Sequence, residues 1–147
     1  MSIYEELLDQ VRSVVDAIVL TGNPTVVRRK RFTIMEQDPK FLIVVSPTTE
    51  IETEEDTFEN ALIMAYPIVV GITTGSGNLA DGTSEDLMLT YRQAVRRALR
   101  SLGAVAISQP VIDVSSNSKP AFDLPAARDN RDVSAIEITY FVQEPRN

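Results

Sequence analysis

The amino-acid sequence predicts a single α+β domain over residues 1–147, in which two amphipathic helices cover a mostly antiparallel sheet of about five strands. Two segments place apolar residues at helical spacing, and several short runs rich in Ile and Val have the lengths of strands. The strands fall into a group of three and a group of two, and this order is typical of an antiparallel sheet rather than a parallel one. At 147 residues and 44% hydrophobic, the chain has enough apolar material for one core.

The first helix is predicted over residues 2–20. Ser2 and Glu5 have the spacing of a capping box at its start. Gly22 supplies a terminating glycine, and Pro24 cannot continue the helix. The buried stripe of this helix is predicted to consist of Ile3, Leu7, Val11, Val14, Val15 and Ile18.

Three strands are predicted between the helices. Residues 25–32 begin with β-branched side chains and continue into basic ones, and a turn at Asp38 separates them from the apolar run 41–45, so the two strands could form a hairpin. Residues 61–73 predict a long third strand. Pro67 lies inside it and predicts a bulge or an edge position, because proline cannot donate a hydrogen bond to a neighbouring strand.

The second helix is predicted to begin at Thr83 or Ser84 and to end at Gly103. Two further strands follow, over residues 111–115 and 134–143. The last of these alternates apolar and polar side chains, which indicates a half-buried, antiparallel strand. The buried stripe of the second helix is predicted to consist of Leu87, Tyr91, Ala94, Val95, Ala98, Leu99 and Leu102.

Composition limits the chemistry. The chain has neither His nor Cys and a net charge of -7, which disfavours thiolate metal sites, His-assisted catalysis and a general affinity for nucleic acid. Gly77 and Gly82 match the glycine spacing of a phosphate-binding loop, but Thr83 occupies the position of the required lysine and Asp81 adds negative charge. The longest apolar run, residues 61–72, is too short to span a membrane. We therefore predict no enzyme, no cofactor and no metal.

Two segments of opposite charge are the candidate interaction surfaces. Both could simply be solvated faces, and the acidic one could also be a weak calcium site. Alternatively, the basic segment of one copy binds the acidic segment of the next, and such head-to-tail contacts can close into a ring. On this hypothesis, reversing Arg28, Arg29 and Arg31 to Glu weakens self-association. The basic segment contains Arg28, Arg29, Lys30 and Arg31, and the acidic one contains Glu50, Glu52, Glu54, Glu55, Asp56 and Glu59.

A polar stretch over residues 116–132 is too long for an ordinary turn between two strands. Loops of this length often carry binding functions, so we predict a docking element that orders on assembly. Its candidate contact residues are Lys119, Phe122, Arg128 and Arg131.

The order of elements, the arginines of the second helix and the last strand, which runs from Val133 through Ile136, Ile138 and Tyr140 to Gln143, resemble the tail terminator and tail-completion proteins of long-tailed bacteriophages. The resemblance implies a homo-oligomeric ring, typically of six subunits, that caps the tail tube and joins it to the head connector, without catalytic residues. It further implies a location in the host cytoplasm during assembly and then in the virion tail or neck.

The same resemblance leaves a second place for the acidic segment. It could line the lumen of the ring, where negative charge lets DNA pass without binding. The alternative function, from a different class, is a small-molecule binding or regulatory module, since a sheet covered by two helices is a general ligand-binding scaffold.

Overall fold

A computed structural model describes residues 1–53, 61–75, 83–117 and 131–145, although the side chains of residues 83–85 and 131 lie outside the description. This part of the chain contains two helices and a six-stranded sheet. The elements in chain order are α1 (Ile3–Asp16), β1 (Thr25–Arg28), β2 (Leu42–Pro47), β3 (Ile51–Glu52), β4 (Ala61–Gly75), α2 (Thr83–Arg100), β5 (Val111–Asn117) and β6 (Arg131–Pro145).

The α+β architecture is confirmed. The sheet has the order β1-β2-β4-β6-β5, and all its pairs are antiparallel except β1 with β2. The additional strand is β3, a two-residue strand from the acidic segment that pairs with β4. It lies on the same side of β4 as β2, because β4 is long enough to pair with both in succession.

The hairpin between the first two strands was a wrong prediction, since β1 and β2 run parallel. β1 ends at Arg28, four residues before the predicted limit. Before β2 begins, the chain passes over the face of the sheet that the helices do not cover. The ring of Phe32 covers Gly71 of β4 so closely that a Cβ atom on that glycine would lie 2.3 Å from the ring. Gly71 alternates with residues of the helix-covered core, so Phe32 packs on the opposite face of the sheet.

β4 and β6 form a ribbon of 15 paired residues each, from Ala61 opposite Pro145 to Gly75 opposite Arg131. At 3.4 Å per residue the ribbon is about 50 Å long, whereas α2 is about 27 Å long. The predicted bulge at Pro67 is wrong, because the ladder is continuous there. The carbonyl of Pro67 accepts hydrogen bonds from Tyr4 and Thr48, so its missing N–H faces the gap between β2 and β3, where no strand needs it.

The observed starts of the helices agree with their predicted positions more closely than the observed ends do. The Ser2 hydroxyl accepts from the N–H of Glu5 at 3.1 Å, and the Ser2 N–H donates to the Glu5 carboxylate at 2.7 Å, which confirms the capping box. α1 ends at Asp16, before the predicted limit, and Gly22 instead forms the turn into β1 with a φ of 92°. Leu102, predicted to be buried, is 64% exposed because α2 has already ended.

The core lies between the two helices and one face of the sheet. Its largest side chains include two buried tyrosines. The hydroxyl of one forms a hydrogen bond between the sheet and a helix, and the hydroxyl of the other forms one between a helix and a turn. Tyr140 of β6 donates to the carbonyl of Leu99 at 3.0 Å, and Tyr91 of α2 donates to the carbonyl of Thr21. Burial raises the pKa of both tyrosines, so their hydroxyls remain protonated donors at neutral pH.

Candidate assembly surface

Arg28, at the end of β1, has a partner within its own chain. Its guanidinium forms an ion pair with Asp9 of α1, and both side chains are substantially exposed. Because exposed ion pairs are weak, another carboxylate could replace Asp9 at little cost. Lys30 and Arg31 are exposed and form no ion pair in the described part of the chain.

Arg29 is committed to the internal structure. Its guanidinium donates twice to the Asp38 carboxylate at 2.7 Å and once to the carbonyl of Thr33, also at 2.7 Å. The hydrogen bond with Asp38 raises the pKa of Arg29 despite partial burial. Asp38 also accepts from the N–H of Met35 at 2.7 Å, and its side chain is only 7% exposed. Arg29 therefore closes the connection between β1 and β2, where it is held by a buried carboxylate.

The chain is anchored to α1 just before the acidic segment begins. The N–H of Thr48 donates to the Tyr4 hydroxyl at 2.9 Å, and the Tyr4 ring packs edge-on against Tyr66 at 5.1 Å. Beyond this anchor, Glu50, which directly precedes β3, and Glu52 of β3 are exposed. Burial, and to a smaller extent the charge of Glu50, raises the pKa of Tyr4. The other predicted members, Glu54, Glu55, Asp56 and Glu59, lie outside the described residues.

The described parts of the two predicted charged segments lie on one flank of the sheet. β1, which ends in Arg28, lies beside β2, and β3, which carries Glu52, lies on the same side of β4 as β2. The other flank is formed by β6 and β5. The basic segment and the described acids thus lie on the same flank within one copy, whereas a head-to-tail contact joins two different surfaces of the molecule.

The predicted docking loop can be located only at its ends. Lys119, Phe122 and Arg128 lie outside the described residues. Asn117 ends β5 and pairs with Glu137, while the backbone of Arg131 begins β6 opposite Gly75. The chain therefore leaves β5 at the level of Glu137, near the middle of the ribbon, and enters β6 at the end of the ribbon that is remote from β3.

Sequence reasoning did not include the arginines of α2 among the site residues. Arg92 turns inward, where it donates to the Ser134 hydroxyl and, at 2.9 Å, to the carbonyl of Ala135. Burial and the nearby Arg96 lower its pKa. Three other arginines are exposed beside a shallow groove of about 440 Å³, and none of them forms an ion pair with a carboxylate in the described part of the chain. These are Arg96, Arg97 and Arg100, and Gln93 and Ser101 complete the groove.

A second shallow groove, of about 480 Å³, continues along the exposed face of α2 toward its start. It is lined by Asp86, Leu89, Thr90, Gln93 and Arg96, and Leu89 is 44% exposed. The signal for this surface was present in the sequence as the polar face opposite the Tyr91, Val95 and Leu99 stripe. Spacing alone could not show that Arg92 would point inward and Arg96 outward.

No protein-family model matches the chain, and no curated protein matches it either. Within the described residues, no three His, Cys, Asp or Glu side chains are grouped closely enough to hold a metal ion. Neither helix, as far as it is described, has the length and apolar character that a membrane-spanning helix needs.

Proposed function

We propose that this chain is a structural assembly subunit that joins copies of itself into a ring. By its resemblance to phage tail terminators, the ring would cap a tail tube and connect it to a head connector. The single observation that carries this proposal is the polarity of the β4–β6 ribbon. A subunit that joins two different partners needs two different ends, and the exposed Glu50 and Glu52 lie nearer the Ala61 end of this ribbon than the Gly75 end.

One end of the ribbon, near Gly75 and Arg131, is where the chain enters β6 after the candidate docking loop. The other end, near Ala61 and Pro145, lies beside the exposed acids of β3. About 50 Å separates these ends. In a ring whose axis follows the ribbon, the Gly75 end of every copy would face one partner and the Ala61 end would face the other.

The test is the oligomeric state of the purified full chain. Mass photometry and negative-stain electron microscopy should show closed rings of uniform size, with about six subunits if the resemblance is correct. A strictly monomeric protein at high concentration, without rings in micrographs, would overturn the proposal.

Gene neighbourhood is an independent check. Flanking genes for capsid, connector and tail-tube proteins would support the assembly role. A deep apolar pocket filled by a metabolite, found by native mass spectrometry and followed to its site by crystallography, would instead favour the small-molecule module. The two described grooves on α2 are shallow and polar, which does not favour that alternative.

A further inference from the structure

The exposed arginines of α2 have no internal role that accounts for all three. Arg97 and Arg100 lie in the last turn, where positive charge stabilises the end of the helix dipole. Arg96 lies outside that turn, yet it is equally exposed and unpaired among the described residues. In a chain with a net charge of -7, a local cluster of three unpaired positive charges is a patch of reversed sign.

The position of this patch is complementary to that of the acidic strand. Arg92 of α2 donates to Ala135 of β6, and Tyr140 of β6 donates to Leu99 of α2. The part of the helix that carries Arg96, Arg97 and Arg100 therefore lies over β6, on the half of the sheet formed by β6 and β5. Glu50 and Glu52 lie on the opposite flank, beside the edge of β4 that pairs with β2. Opposite charges on opposite flanks are the arrangement that lets identical subunits join head to tail.

From this placement we infer that Arg96, Arg97 and Arg100 of one copy bind Glu50 and Glu52 of the next copy. The inference rests on the proposed ring and specifies its contact. It also changes the partner of the acidic segment: the arginines of α2 replace the basic residues near β1, which lie on the same flank as the acids and include the internally bound Arg29. Because the chains repel one another overall, a contact between patches of opposite sign is where association is favourable.

Charge reversal tests the contact. The variant R96E/R97E/R100E should self-associate at least about 100-fold more weakly than the natural chain, because like charges would then face each other. The variant E50R/E52R should be equally impaired. All five side chains are exposed, so circular dichroism and thermal unfolding should show intact folds.

Mixing the two variants gives the decisive result. In an alternating ring, the acidic α2 of one variant meets the basic β3 of the other, and the natural α2 of the second meets the natural β3 of the first. Every contact is then complementary, so mass photometry should show rings only in the mixture. If neither variant loses association, or if the mixture stays dissociated although both variants are folded, the inferred contact is wrong.

The matched control is R28E/K30E/R31E, which reverses the same number of charges and leaves Arg29 in place. It should retain the natural oligomer mass. Loss of association in this control alone would overturn the α2 contact in favour of the basic segment near β1. A natural chain that forms rings while R96E/R97E/R100E also forms them would refute the contact but leave the ring proposal standing. A natural chain that never forms rings would refute both.

Discussion

The basic segment near β1 and the basic face of α2 contain the same kind of side chain but differ in what surrounds them. Near β1, Arg28 and Arg29 each have a carboxylate partner in the same chain. On α2, Arg96 is exposed without one among the described residues, although Arg92, one turn earlier, is half-buried and bonded to β6. A cluster of like charges in a sequence therefore does not indicate which of its side chains are available to contact another molecule. Availability depends on the carboxylates and carbonyls that the fold brings near.

The largest expected effect comes from a substitution at Gly71, which disturbs the connection between β1 and β2 that contains Arg29. Replacing Gly71 by Ala places a Cβ atom 2.3 to 2.4 Å from three ring atoms of Phe32, so the ring and its segment must shift. We expect a loss of about 3 kcal/mol in the free energy of unfolding, measured by urea denaturation. The matched control is Gly75→Ala in the same strand, where the nearest atom is 3.5 Å away and we expect a change within about 0.5 kcal/mol. Equal effects in the two variants would show that Phe32 does not pack on Gly71.

The second expected effect is a difference in stability between variants of Arg29 and Arg28. Arg29→Met removes three hydrogen bonds, two of them to the nearly buried Asp38 carboxylate, which should cost about 2 kcal/mol of stability. Arg28→Met removes an exposed pair and should cost less than about 0.5 kcal/mol. Chemical denaturation of the two variants measures both losses. The distinction between bound and available arginines would fail here if Arg28→Met were the more damaging change.

A smaller effect is expected within α2. Arg92→Met removes the hydrogen bonds that Arg92 donates to the buried Ser134 hydroxyl and to the Ala135 carbonyl, and should cost about 1.5 kcal/mol. Arg96→Met, one helical turn later, should change the free energy of unfolding by no more than about 0.5 kcal/mol. Thermal and urea unfolding of both variants provide the comparison. A larger loss from Arg96→Met would mean that Arg96 has an internal role and is unavailable for the proposed contact.

The smallest effect is the dependence of the two ion pairs on salt. A double-mutant cycle on Arg28 and Asp9 should give a coupling energy of about 0.5 kcal/mol at low ionic strength that vanishes near 1 M salt. The cycle on Arg29 and Asp38 should retain most of its coupling, because Asp38 is nearly inaccessible to solvent. Equal screening of both couplings would argue that the Arg29 pair is as exposed as the Arg28 pair.

The sequence predicted the fold class because its signals are local. Capping residues, apolar periodicity and Ile- and Val-rich runs act over a few residues, so the capping box of α1 and the long strand β4 followed from them. The parallel pairing of β1 with β2 and the continuous ladder at Pro67 depend on where distant segments lie. No short-range pattern contains that information.

The candidate surface was harder to predict for the same reason. The acidic and basic segments were visible as charge runs, but their positions on one flank depend on the order of strands in the sheet. The arginines of α2 were visible too, and the helical spacing indicated a polar face. What spacing could not indicate is that Arg92 finds acceptors on β6, 42 residues later in the chain, while Arg96 does not.

The long ribbon also affects how the chain folds. β4 is the strand around which the sheet is organised, yet its principal partner, β6, is separated from it in sequence by 55 residues at the nearest pair, Gly75 with Arg131, with more at every other pair. Closing such a large loop is slow, and pairing must wait until β6 has left the ribosome. Until then one edge of β4 is an open, Ile- and Val-rich template for misassociation. We expect synthesis of this protein to place its heaviest demand on chaperones in this interval.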